Sequence, residues 1–212
     1  MNTIISLGYE FISAFVPFVV VLILFRRSKG ELAAPSSIRH YIMPTVIAIY
    51  VIAVFYVTNP GTIYDAMTSK WEHMKERINL VPFSNDIDVI GYILNIVMFV
   101  PLGFLVPLIC RNIKSPIFVA AIGMSFSILI ECGQLFSYRG TDIDDVILNT
   151  VGTIIGYVLY KVLGKKTNLK STMNCISVGE LLAYFISLLL GRFLLFNRVG
   201  LIELLLSIRK SR

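Results

Sequence analysis

Charge is what this chain has least of. Only 15% of its 212 residues are Asp, Glu, Lys or Arg, against 56% hydrophobic; a soluble domain carries about 25% charged residues. With a mean hydropathy of +0.79, the composition excludes an ordinary soluble fold and indicates an integral membrane protein. Cysteine is scarce and odd in number. Cys110, Cys132 and Cys175 form no CxxC pair, lie in or beside apolar runs, and read as small hydrophobes in helix packing. Histidine is limited to His40 and His73, which lack ligand partners, so a zinc site is not expected. No GxSxG, Ser–His or HExxH arrangement is present, so no recognised nucleophile or metalloprotease chemistry is written here. Enzymatic activity is left uncertain, and no cofactor is required. The net charge is +6. The basic residues sit in short loops between apolar runs rather than on one patch, so no nucleic-acid partner is expected.

What is present is a series of six apolar runs, roughly Ile4–Phe25, Tyr41–Thr58, Ile90–Cys110, Pro116–Phe136, Val146–Leu163 and Asn174–Phe196. Each is near the ~20 residues that cross a ~30 Å hydrocarbon core. The predicted fold is an all-α, polytopic transmembrane helical bundle in the cell membrane. The first run lacks a basic leading segment and a small-residue cleavage site, and reads as a retained helix. Arg26, Arg27, Lys29, Arg39, Arg111, Lys114, Lys161, Lys165, Lys166 and Lys170 fall in the odd loops. Only Lys70, Lys75, Arg77 and Arg139 fall in the even ones. This asymmetry predicts cytoplasmic odd loops and an N-terminus facing outward. Within the long second loop, Trp71, Met74 and Ile78 are spaced for a short amphipathic surface helix. Leu201–Ile208 is apolar but too short to cross, and the topology of the tail after Phe196 stays open.

Polar residues gather at the predicted outer ends of the helices. Ser115-Pro116 opens the fourth run as an N-cap and first helical residue. From there Ser127, Glu131, Gln134 and Tyr138 fall at i, i+4, i+7 and i+11, a polar stripe on an apolar helix. Glu131 lies about 23 Å along that helix. A carboxylate at that depth needs a cation, a proton or water, and Arg139 is the expected partner. Thr141–Asp144 reads as a Thr-x-x-Asp capping box, with Asp142, Asp144 and Asp145 in the first turn where the helix dipole favours negative charge. Asp145, Asn149, Gly152 and Gly156 continue down one face. Asn95 lies at similar depth on the third run, above Pro101 and Gly103, where a kink and close packing are expected. Together these residues predict a headgroup-sized polar pocket open to the outside, with Asn95, Gln134, Arg139 and Asn149 as ligand-binding residues.

The pattern resembles the VanZ-like family. The resemblance rests on Asn79-Leu80-Val81-Pro82-Phe83, Asn95-x3-Phe99-x-Pro101-x-Gly103, Ile130-Glu131-x-x-Gln134, Arg139-x-x-Asp142-x-x-Asp145 and Asn149-x-x-Gly152-x-x-x-Gly156. It covers four of the six runs. It divides the chain into a first helix with its basic loop (1–40), a VanZ-like membrane domain with a four-helix core (41–161), and a basic loop, sixth helix and interfacial tail (162–212). It implies a Gram-positive-type cell envelope and reduced susceptibility to teicoplanin and related lipid-bearing glycopeptides. The partner expected on this basis is a membrane lipid or a lipid-linked envelope precursor. An alternative is an intramembrane hydrolase or transferase with Glu131, Asp142 and Asp145 as catalytic carboxylates, in which Mg2+ or Ca2+ could be held through oxygen ligands. A lipid transporter is the third reading, weakened by the lack of an inverted repeat. The oligomeric state is not written in the sequence.

Overall fold

The computed structural model describes residues 3–30, 39–68, 78–84, 88–110, 113, 115–137, 140–166, 176–197 and 200–201. The expected surface helix at Trp71–Arg77, Arg139, and the apolar tail from residue 202 onward lie outside the described residues.

Among the described residues, seven helices and two very short strands follow one another. They are α1 (Thr3–Ser28), α2 (Arg39–Thr58), α3 (Ile63–Thr68), β1 (Ile78–Asn79), α4 (Val89–Ile109), α5 (Pro116–Gln134), β2 (Thr141–Asp142), α6 (Ile143–Lys166) and α7 (Val178–Leu195). Six of the helices are long and apolar enough to cross a membrane, as the six runs require. β1 and β2 pair in parallel, Ile78 beside Thr141 and Asn79 beside Asp142, a local tie between two loops rather than a sheet. Ser115 is the N-cap of α5 and Pro116 opens it, although the serine side chain makes no capping bond. Pro101 sits inside α4, which continues as one helix from Val89 to Ile109.

Two packing devices hold the bundle. In the first, α4 and α6 meet backbone to backbone. A methyl group at Gly152 would overlap the Ile96 carbonyl, and one at Gly156 the Val100 carbonyl. In hydrocarbon such small-residue seams replace the hydrophobic drive that lipid removes, because they let dispersion contacts form over a long face. In the second, α1 and α7 run antiparallel and exchange charges. Arg26 Nη2 donates to Glu180 Oε1 at 2.5 Å, both side chains being fully buried. At the other end Arg192 Nε donates to Glu10 Oε1 at 2.8 Å. Each helix thus supplies one acid and one base. Glu180 also closes a capping box with Ser177 at the start of α7. Between these pairs, Phe126 of α5 joins the halves. Its ring contacts Phe55 of α2 at 5.9 Å, Phe99 of α4 at 5.7 Å and Phe185 of α7 at 5.4 Å.

The Gly152→Val variant is expected to lose about 1–3 kcal/mol of stability, the usual cost of forcing added methyls into a packed contact. Thermal unfolding of the detergent-solubilised protein followed by circular dichroism reads this out. A melting temperature equal to wild type would mean that the α4–α6 seam is loose.

Candidate functional site

The start of α6 brings four elements together. Glu131, near the end of α5, is 4% exposed. Its Oε2 accepts the Asp142 backbone N–H at 3.0 Å, and its carbonyl accepts the Thr141 hydroxyl at 3.0 Å. The buried acid therefore holds the α5–α6 connection by a charge-assisted bond to backbone. Arg139, the partner expected from the sequence, lies outside the described residues.

The capping box expected at Thr141–Asp144 does not form as written. The Thr141 hydroxyl goes to Glu131, and the Asp144 N–H is taken instead by Asp142 Oδ1 at 3.0 Å. An aspartate two residues before the donor closes an Asx turn and satisfies the same helix-end N–H. Asp144 is thereby released for another task. It is 1% exposed. Its Oδ1 accepts the Phe83 backbone N–H at 2.9 Å and its Oδ2 accepts the Tyr92 hydroxyl at 2.7 Å. Asn79, in turn, donates its amide to both Asp142 oxygens at 3.3 and 3.2 Å. Its own Oδ1 accepts the Val81 N–H at 3.1 Å and the Ser84 hydroxyl at 3.0 Å. The turn from Asn79 to Ser84 is thus pinned on both sides by aspartates of the α6 start. It carries Phe83 at a φ of 54°, a left-handed conformation unusual for a bulky residue. Leu80, Val81 and Phe83 point outward from it and are exposed.

The remaining expected site residues divide between two neighbours. Asn95 of α4 donates to Asp145 Oδ1 at 2.5 Å. Asn149, four residues further along α6, turns instead to α5 and donates to Ser127 Oγ at 2.9 Å. Gln134 points away from the aspartates and donates to the Thr58 carbonyl at the end of α2 at 2.9 Å. Glu131, Asp142, Asp145 and Asn95 are therefore grouped at one end of the bundle. Asn149 lies deeper and Gln134 to one side. Both of the latter are buried, and among the described residues their amide oxygens have no hydrogen-bond partner.

Tyr92 is a member of this end that the sequence does not single out, and the roles of Asn79 and Asp144 as partners across the fold are not visible in their spacing. Asn79 opens the Asn79–Phe83 segment of the family pattern, and an Asn that precedes a Pro-containing turn commonly bonds the turn's own backbone, as it does here to Val81. Tyr92 gives no comparable signal. Among the described residues no three His, Cys, Asp or Glu side chains are grouped to hold a metal ion. The aspartates instead point to different partners. The arrangement offers carboxylate and amide groups beside an exposed apolar turn, a surface suited to an amphiphile.

These features define a multi-pass α-helical membrane protein with a polar site built at one end of its bundle. The VanZ/LLP1 family model matches residues 43–164, more than half of the chain, and the protein belongs to that family. The chain is also similar to Protein VanZ of Enterococcus faecium, at 28% identity over 128 residues that cover 59% of this chain and 77% of the relative. No solved structure matches it.

Asp144→Ala is expected to release the Asn79–Ser84 turn, since it strands the Phe83 N–H and the Tyr92 hydroxyl at a cost of about 1–3 kcal/mol. Hydrogen exchange with mass spectrometry should show faster exchange at 78–84 and little change in α7. Unchanged protection of that turn would show that Asp144 does not hold it.

Proposed function

We propose that this protein acts at its Asp142 end on a membrane lipid or lipid-linked envelope precursor, and that it thereby lowers susceptibility to teicoplanin and related lipid-bearing glycopeptides. On this reading the site faces the outer leaflet, with the N-terminus outside. The excess of basic residues in the odd loops supports that orientation. The phenotype is carried over from the VanZ family, to which residues 43–164 belong.

One observation carries the choice of an amphiphilic ligand. Asp142, Asp144 and Asp145, with Asn79, Tyr92 and Asn95 around them, lie directly beside a turn that exposes Leu80, Val81 and Phe83. Polar groups fix orientation and apolar groups add burial, the usual division in a site for a molecule with a headgroup and a tail. Drugs that concentrate at the membrane through an acyl chain depend on what the outer leaflet displays. A protein that sequesters or alters a lipid or precursor there reduces that gain without touching the peptide target of the drug. This separates the proposal from resistance by target replacement, which would affect vancomycin equally.

Wild type, Glu131→Gln and Asp145→Asn would be expressed at matched membrane levels in a susceptible Gram-positive host. Teicoplanin inhibitory concentration and fluorescent-drug binding are then measured, with vancomycin as control. The expected outcome is selective protection against teicoplanin by wild type, reduced at least fourfold by either substitution. Protection that survives both substitutions would move the working site elsewhere. Equal protection against vancomycin would sink the membrane-display mechanism.

A further inference from the structure

A second feature lies at the same end of the bundle, with one wall on α1, before the family-matched segment, and the other on α2, within it. Between the first half of α1 and the second half of α2 is a membrane-facing cavity of about 570 Å3, within the usual range for small-molecule sites of about 300–1,000 Å3. Its walls are apolar, among them Leu7, Phe11, Ile49 and Ile52, and a single acid, Glu10, lines it. Glu10 is 6% exposed. One of its oxygens is taken by Arg192 at 2.8 Å. Among the described residues the other oxygen accepts no hydrogen bond, and Glu10 lines the cavity. Arg192 itself is fully engaged, donating further to the Pro60 carbonyl and to Asn59 Oδ1.

We propose that this cavity binds a neutral lipid with a free hydroxyl group, its apolar chains filling the space between α1 and α2 and its O–H donating to the second Glu10 oxygen. The charge balance selects this class. Glu10 and Arg192 already neutralise one another, so a cationic head would leave a net buried charge. A phosphate would meet the carboxylate face on. A hydroxyl supplies a donor at no charge cost, and a carboxylate oxygen facing an apolar cavity without one is unfavourable. Glu10 is seven residues into α1, about 10 Å from its start, a depth that a small neutral head can reach and a large charged one cannot without desolvation. The site is separate from the Asp142 cluster and does not depend on the function proposed for it.

The test uses the purified full-length protein in detergent, titrated with dioleoylglycerol, its O-acetylated derivative and dioleoyl phosphatidic acid, with bound lipid read by native mass spectrometry. Wild type is expected to hold dioleoylglycerol at least tenfold more tightly than either of the others. Two variants probe the two halves of the site. Gly8 lines the cavity and has open space at its Cβ position, so Gly8→Leu should fill the cavity and abolish binding with an unchanged melting temperature. Glu10→Leu combined with Arg192→Met removes the carboxylate without stranding the arginine, and should make the free and acetylated lipids bind alike. Equal binding of the acetylated lipid to wild type would reduce the cavity to a greasy groove and overturn the proposal. So would full binding by Gly8→Leu, or retained discrimination in the double variant.

Discussion

Hydrocarbon supplies no hydrogen-bond partners, so each polar group that this chain takes below the membrane surface must be satisfied by the chain itself. That constraint explains the position of most of the charged side chains described here. Glu131 is answered by a backbone N–H of the α6 start, Asp144 by a backbone N–H and a phenol, and Asp145 by an amide. Arg192 and Arg26 are answered by acids from the opposite helix of the α1–α7 pair. Breaking any buried ion pair on one side only leaves an uncompensated charge, which costs far more than the pair contributes. The polar groups are therefore clamps on topology. A bundle with α1 and α7 parallel would set Glu10 near Glu180 and Arg26 near Arg192, and would not close.

The flanking helices and the family segment are joined by the same logic. Arg192 reaches the turn after α2, where it meets Asn59 and Pro60. Asn59 adopts a φ of 46°, which a short polar residue tolerates better than most. Two residues on, the Gly61 N–H donates to the Gly133 carbonyl at 2.8 Å at the end of α5, and a methyl at Gly61 would strike the backbone of Phe136. Gln134 completes the contact through the Thr58 carbonyl. The α2–α3 connection therefore lies wedged between the arginine of α7 and the last turn of α5, three residues from Glu131. The cavity beside Glu10 and the aspartate cluster thus lie apart from one another at one end of the bundle.

The six spans were legible in the sequence because each is a continuous apolar run, and that signal needs no knowledge of neighbours. The polar end of α6 was legible for a related reason: acids bordering an apolar run mark a boundary. Partner choice was not. Asp145 and Asn149 are four residues apart and share a face to first order, yet four steps of about 100° leave them about 40° out of line. α6 lies in the groove between α4 and α5, so that offset sends Asp145 to Asn95 and Asn149 to Ser127. Asp144 looked like a helix cap because caps are local, whereas its true partners, Phe83 and Tyr92, are 61 and 52 residues away. Local motifs are visible in a sequence; the competition between a local and a distant acceptor is decided only when the fold brings both donors within reach.

The aspartates and the glycine seam then prove to be one construction. Tyr92 and Asn95 are three residues apart on α4 and hold adjacent acids, Asp144 and Asp145, of α6. Gly152 lies seven residues beyond Asp145, two turns deeper on the same side, and rests against the backbone of Ile96, the residue next to Asn95. The separation of the two helix axes at that glycine fixes how far the Asn95 amide stands from the Asp145 carboxylate. A side chain at Gly152 would push the axes apart and lengthen the short Asn95–Asp145 bond, 2.5 Å as the helices now pack. Packing in the hydrocarbon thus sets the geometry of the charged end. The sequence pairs a polar first turn with small residues two and three turns below because the first cannot be positioned without the second.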